Sequence, residues 1–505
     1  MSLVGIDWNA TRALAVLAPA GEYPLPVPLE PPALELAMLL DLSGGQPVVG
    51  SSGRRRCRLS AHQVCRGFLP LVGVPACAAP AWKIGRRTLD AAGAVEHVWQ
   101  RLDGLCRSAR GVVLALPGYV HAVQADLLRS LGEKFGAPVQ GSVSNVLAAA
   151  LAGHRQQLWS RATIVVDVDD HALTVALVVA ARDSAHLVEA RSAPALGLGA
   201  WHERLINALA DLCVWQTRRD PRDTPATEQG LYDQLDSLLE ATGHRQPIQL
   251  AVQANQWYHH LLVQPGQTLA FCSPLAAQAA REVEALGNVP PGDEAPSILM
   301  THAAGRLPGL RGMLTALAQA WAESADGLPA RPRAAAEDFG EDLLIDAAAE
   351  PIEAAALNVL APEAPARAAH ALADLLRQNG GHVASSAPLP LAEPVEAGPA
   401  RLHFQGRDYL LHGHTFTVGS QIGCNLLVSA QEHPQVADRH CDIVFDRRTY
   451  LLLNRSRQGT LVNDAAASSS VVLRAGDRIR LGAQGPVLRF LGQAPAPANL
   501  VYTTA

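Results

Sequence analysis

A β-hairpin pattern occurs twice in this chain. LVGIDWNATRALAVLA (Leu3 to Ala18) and TIVVDVDDHALTVALVVA (Thr163 to Ala180) each run from an apolar segment to an aspartate, Asp7 or Asp167. A short polar turn and a second apolar run follow in both. Two apolar runs joined by a short polar turn are a β-hairpin signature. The pattern returns after about 160 residues, which predicts two related lobes.

Between and after the hairpins the texture alternates. Thr88 to Arg107 has helical apolar spacing through Val95, Val98, Trp99 and Leu102. Gly111 to Leu116 reads as a buried strand ended by Pro117-Gly118, and Val120 to Phe135 as a helix. A short strand is expected near Pro138, then a small-residue helix from Ser142 to Gly153. Helices are predicted over Gly199 to Trp215, Leu231 to Thr242 and Leu310 to Trp321, with a strand over Ser297 to Met300. Strands alternating with helices imply an α/β body over residues 1–360. Residues 361–400 read as one helix (Ala364 to Gln378) and a Pro/Ala-rich linker, and residues 401–495 as short strands between turns, an all-β domain.

Composition narrows the function. Of 505 residues, 49% are hydrophobic and 17% charged, enough to bury two or three domain cores. Lys and Arg number 41 against 47 Asp and Glu, a balance that argues against a nucleic-acid partner, and Arg54, Arg55 and Arg56 read as a solvated loop. MSLVGIDWNA lacks a signal peptide's basic and apolar regions, and no apolar run is long enough for membrane insertion. The eight cysteines form no CxxC pair, so reduced thiols and a cytoplasmic location are expected.

Several segments carry a family resemblance. VVLALPGYVHAVQADLLRSLGEKFGAPV (Val112 to Val139) resembles the strand–Pro–helix segment of DnaK-type heat-shock-seventy chaperones. SVSNVLAAALA falls where that family has its Asn-Glu-Pro-Thr-Ala-Ala-Ala-Leu helix. LGLGAWHERLINALA (Leu196 to Ala210) resembles its Leu-Gly-Gly helix start, ILMTHAAGRLPGL (Ile298 to Leu310) its adenosine loop, and AEPIEAAALNVL its closing helix. The resemblance covers residues 1–360 and implies a two-lobed, actin-like ATPase fold whose hairpins clamp the phosphates of ATP and whose acidic residues place Mg²⁺. It puts Asp7, Thr11, Asp167 and Arg306 at the nucleotide, with Asp7 and Asp167 at the metal. The alternative reading of Asp7 and Asp167 is that they cap their turns through backbone hydrogen bonds.

The family's catalytic positions are altered. Asn9 and Ala10 replace a glycine and a threonine in the first turn, and Asp169, Asp170, His171 and Ala172 replace the glycines and threonine of the second. Two like charges about 4 Å apart repel by roughly 4 kcal/mol at an effective dielectric near 20, so carboxylates here oppose bound phosphate. Asn145 stands at the glutamate, Leu69 at the lysine, His302 and Ala303 at the adenosine-loop glycines, and Asp236 and Ser237 at the basic adenine-flanking residues. A pseudo-ATPase without a cofactor is therefore expected, with ATP and Mg²⁺ as ligands only if the site still works.

Arg401 to Gly492 resembles a forkhead-associated (FHA) β-sandwich. The pattern is carried by TFTVGS, VADRHCDIVF, RSRQGTLVND and LRAGDRIRLG, with Gly419, His440, Ser456, Gly459, Thr460, Asn463, Gly476, Asp477 and Gly482 in order. The family reads phosphothreonine through an arginine, a serine and an asparagine, and those positions are here Ser420, Ala437 and Gln458. Arg439, Arg455 and Arg457 lie in the same predicted loops, either as a substitute phosphate site or as a solvated rim. Ser420, Arg439, Arg457 and Gln458 are the candidate peptide contacts, and the expected partner is a protein, phosphorylated or not. The chain is thus expected to be a cytoplasmic scaffold or adaptor. The alternatives are an ATP-binding switch coupled to phosphoprotein recognition and an actin-like assembly component.

Overall fold

Both hairpins form: Ser2–Trp8 pairs antiparallel with Arg12–Pro19, and Ala162–Val168 with Leu173–Ala181. The computed structural model describes residues 2–19, 24–75, 80–181, 184–287, 296–325, 357–378, 386–388, 400–405, 407–411, 415–421, 424–446, 449–463, 465–467, 470–473 and 476–493. The chain divides into two units, Met1–Leu391 and Ala392–Ala505.

In the first unit each hairpin is the centre of a mixed sheet. Ser2–Trp8 runs parallel to Ala109–Leu116, which runs parallel to Val139–Ser144. On the other side Arg12–Pro19 pairs antiparallel with Leu25–Val27 and Glu35–Ala37. The second lobe repeats the plan. Ala162–Val168 runs parallel to Ser297–Met300 and that strand to Leu357–Val359, while Leu173–Ala181 pairs antiparallel with Ser184–Ala193. The duplication is therefore one of strand order and direction as well as of sequence.

The parallel strands are joined through helices, as their direction requires. Ala91–Cys106 starts on Asp90, whose side chain accepts the Gly93 N–H at 2.8 Å, and buries Val95, Val98, Trp99 and Leu102. The Trp99 indole N–H donates to the Leu128 carbonyl, and its ring meets Trp8 edge to face at 5.1 Å.

Some boundaries differ from the sequence reading. Residues 142–144 extend the strand Val139–Ser144 instead of opening a helix, because Val143 and Ser144 pair with Ala115 and Leu116; the helix is Asn145–Arg155. The helix expected over 231–242 is two, Pro225–Tyr232 and Leu235–Gly243. Between them Gln234 turns its amide onto the Ala251 backbone, donating to its C=O and accepting from its N–H. The expected closing helix, 349–360, lies mostly outside the described residues, and its last part is the strand Leu357–Val359. Cys77 also lies outside them; the other seven cysteines are unbonded thiols.

Residues 364–378 form two helices, Ala364–Ala371 and Ala373–Gln378, and they pack into the α/β unit. The approach is close at Gly5, where a Cβ would lie 2.1 Å from the Ala366 carbonyl oxygen. Ser386–Pro388, from the region read as linker, adds antiparallel to the edge strand Ser184–Ala193.

The second unit is an all-β sandwich. One sheet runs Arg407–Leu410, Ala400–Phe404, Val487–Gln493, Arg478–Leu481, Thr460–Val462, Ala465–Ala466. The other runs Leu426–Leu427, Thr415–Gly419, Cys441–Asp446, Thr449–Asn454, Ser470–Leu473. Leu402, Val418, Leu452, Leu481 and Phe490 share the core between them.

Candidate functional site

The two hairpin turns are built alike. Asn9 Oδ1 accepts the N–H groups of Thr11 (3.0 Å) and Arg12 (2.9 Å), and Asp169 Oδ1 accepts those of His171 and Ala172 (both 2.9 Å). These are Asx turns, in which a short side-chain oxygen takes backbone donors two and three residues on. The turn caps are therefore Asn9 and Asp169, which corrects the reading that gave this role to Asp7 and Asp167.

Asp169 has a second oxygen, and it joins the lobes. Its Oδ2 accepts the Ala10 N–H of the first turn at 2.9 Å and the Tyr119 hydroxyl. In return the Asp170 N–H donates to Thr11 Oγ1 at 2.7 Å. Three backbone N–H groups and a phenol thus converge on one carboxylate that is 2% exposed. Successive N–H groups of this kind form an anion-binding concavity, and here the anion is the chain's own side chain. Burial pushes the Asp169 carboxyl up, while Tyr119 and the amides of Ala10 and Ala172 draw it back. Tyr119 carries no motif; its one sequence signal is its place after the Pro117-Gly118 break at the end of an apolar strand.

The predicted metal carboxylates lie beneath these turns. Asp167 has both oxygens engaged, Oδ1 by the Thr301 hydroxyl at 2.7 Å and Oδ2 by the Asn145 amide at 2.6 Å. Asp7 Oδ2 lies 3.8 Å from the Arg12 guanidinium, and its buried Oδ1 has no hydrogen-bond partner. Burial is the main cause that raises the Asp7 carboxyl to about 7; Arg12 opposes it and Asp167 adds to it. Arg12 is also paired with Glu35. Among the described residues no group of three or more His, Cys, Asp or Glu is arranged to hold a metal.

The remaining nucleotide candidates are also tied to protein groups. Arg306 donates to Asp236 Oδ1 at 3.0 Å and to its carbonyl at 3.1 Å, and lies 3.5 Å from Glu240. Asp236 simultaneously pairs with Arg54. Next to this bridge, the Gln229 side chain accepts the Arg58 N–H at 2.7 Å and donates to the Arg54 carbonyl at 3.0 Å. Leu69 is buried in the first lobe's core, and burial lowers the His302 imidazole pKa. ATP·Mg²⁺ does not fit this arrangement. The amides that would face phosphate already hold Asp169, and only Asp7 Oδ1 is an uncommitted oxygen of the implied metal pair.

In the second unit the loop candidates separate into structural and free residues. His440, fully buried, accepts the Ala437 N–H at Nδ1 (3.1 Å) and donates from Nε2 to the Gly459 carbonyl (3.0 Å), so it ties two loops together. Gly419 admits close loop approach, since a Cβ there would lie 2.0 Å from the Asp438 carbonyl oxygen. The Ser420 hydroxyl donates to the Val436 carbonyl at 3.2 Å. Asp442, 0% exposed, holds Arg439 through two bonds of 2.8 and 3.0 Å and Arg455 through one of 2.8 Å. Arg457 and Gln458 are exposed, and among the described residues the Arg457 side chain has no hydrogen bond or ion pair.

This frame agrees with comparison to known families. Residues 416–482 match the FHA domain, so the second unit contains an FHA domain, a protein-binding module. No curated protein matches the chain.

Proposed function

We propose that this chain is a cytoplasmic scaffold or adaptor in which an actin-like, heat-shock-seventy-like body, no longer working as an ATPase, carries the FHA domain as its protein-docking module. The observation that carries the reading is Asp169: its carboxylate takes the backbone donors that a triphosphate needs and ties the two lobes together without one. The shared order of the two sheets supports the actin-like assignment, and the paired states of Asp167 and Arg306 support loss of nucleotide chemistry. At the FHA loops, Ser420, Ala437 and Gln458 do not rebuild a phosphothreonine reader, so the partner is recognised mainly as a protein surface. Isothermal calorimetry of the full chain with ATP·Mg²⁺ tests this. No heat of binding is expected.

One observation favours the ATP-binding switch as the second reading: Asp7 Oδ1 is buried and unpartnered, as a metal ligand awaiting its ion would be. Saturable heat that is lost on Asp7→Ala establishes that reading and overturns the first.

A further inference from the structure

The first lobe also carries an open groove of about 1100 Å³. Eighteen residues line it, among them Arg66, Lys83, Arg86 and Arg87, and none is Asp or Glu. In a chain of net charge −6 this is a local excess of four positive charges. Arginines at the lobe junction are neutralised, as Arg54 is by Asp236 and Arg58 by Glu203 and Glu228. The four groove cations differ: all are exposed, and among the described residues none of their side chains makes a hydrogen bond or ion pair.

The groove also has an apolar component and open backbone. Trp82 and Ile84 are half-buried against the first lobe's core while lining the groove. They belong to a two-stranded sheet, Trp82–Ile84 with Arg87–Leu89, whose outer edges pair with no other strand among the described residues. The opposite lining includes Val64, at the edge strand Val64–Cys65 of a separate small sheet. Unpaired strand edges offer N–H and C=O groups to an added extended segment, and pockets beside them select its side chains.

We infer that this groove is a docking site for an acidic peptide segment of a partner protein, with Arg66, Lys83, Arg86 and Arg87 receiving its carboxylates and Trp82 and Ile84 an apolar side chain. Charge complementarity selects an acidic ligand, and the aromatic floor with open strand edges selects a peptide. The open strand edges can pair with the backbone N–H and C=O groups of a peptide, which a sugar–phosphate backbone lacks. The groove lies within the first unit and its lining includes no residue of the hairpin turns, so its fate does not depend on the function proposed above.

The test is fluorescence anisotropy on the full chain at low salt, using a fluorescein-labelled peptide of alternating Glu and Asp with one central Leu. Saturable binding is expected. It should weaken about tenfold or more in the triple variant Lys83→Glu, Arg86→Glu, Arg87→Glu, in a probe with Gln and Asn in place of Glu and Asp, and in raised salt. Replacing the central Leu by Gly should weaken binding several-fold in the wild type. The three charge reversals are exposed, and an unchanged melting temperature verifies that the variant is folded. Equal affinity of wild type and triple variant overturns the proposal. So does an oligothymidylate that binds more tightly than the peptide and displaces it, because the groove would then be a nucleic-acid site.

Discussion

Asn9 and Asp169 occupy equivalent positions in the two hairpin turns and cap them with the same pair of bonds, two and three residues on. They differ in the second side-chain atom. Asp169 Oδ2 reaches across to Ala10 and Tyr119, whereas among the described residues the Asn9 amide nitrogen makes no such bridge. Asn9→Ala therefore removes a turn cap, a loss of about 1 kcal/mol. Asp169→Ala removes the cap and the clasp together and leaves buried N–H groups unpaired, a loss of about 2–5 kcal/mol. Urea denaturation of the two variants checks this. Equal losses would show that the bridge contributes nothing to holding the lobes.

How much of this was legible in sequence depends on range. Both hairpins were readable because apolar runs and their polar breaks are local, and the FHA domain because its turn residues recur at fixed spacing. The clasp was not, since its two sides lie 159 residues apart and Tyr119 sits in an ordinary turn. Residues 142–144 illustrate the same limit: they adjoin the small-residue helical run and read as part of it, but the register with Ala115 and Leu116 makes them strand. That Asp442 would hold Arg439 and Arg455 depends likewise on loop geometry, so all three arginines looked alike in sequence.

The Asp7 carboxyl gives the α/β unit a pH dependence. Its folded-state pKa is raised from 3.8 to about 7, so the neutral form is the favoured one in the fold. The associated stability is fully present below the unfolded value and is lost as pH rises through about 7. Asp7→Asn mimics the neutral form at every pH. It should match wild type near the unfolded pKa and exceed it by about 2–4 kcal/mol well above the folded pKa. Burial raises Asp170 to about 6, which adds a dependence of the same sign to both proteins. Denaturant unfolding at mildly acidic and mildly alkaline pH measures the difference, and a gap that does not widen with pH refutes the assignment.

Gly5 and Gly104 predict opposite outcomes for the same substitution. At Gly5 an added methyl meets the Ala366 carbonyl oxygen at 2.1 Å and the His370 backbone nitrogen at 2.9 Å, so the helix Ala364–Ala371 must move. Gly5→Ala should lose about 2–4 kcal/mol. At Gly104, inside the helix Ala91–Cys106, an added methyl has nothing within 4 Å. Gly104→Ala should gain about 0.5–1 kcal/mol from helix propensity. Chemical denaturation reads both. A neutral Gly5→Ala would mean that helix and strand are not in firm contact.

Asp442 decides how much positive charge the FHA loops offer a ligand. It is buried and holds two of the three loop arginines, leaving Arg457 as the uncommitted one. Asp442→Asn takes away the shared charge without leaving a buried one, because Arg439 and Arg455 are partly exposed and turn to water. The stability loss should be about 1–3 kcal/mol, read as a lower melting temperature of the FHA transition. The same change frees two guanidinium groups in the loops that include Arg457, so affinity for a phosphothreonine peptide should rise, by about tenfold if one charge-assisted bond forms. Arg457→Ala in the Asp442→Asn background should reverse most of that gain. If phosphopeptide affinity is the same in wild type, Asp442→Asn and the double variant, the three arginines are a solvated rim and the FHA domain docks through another face.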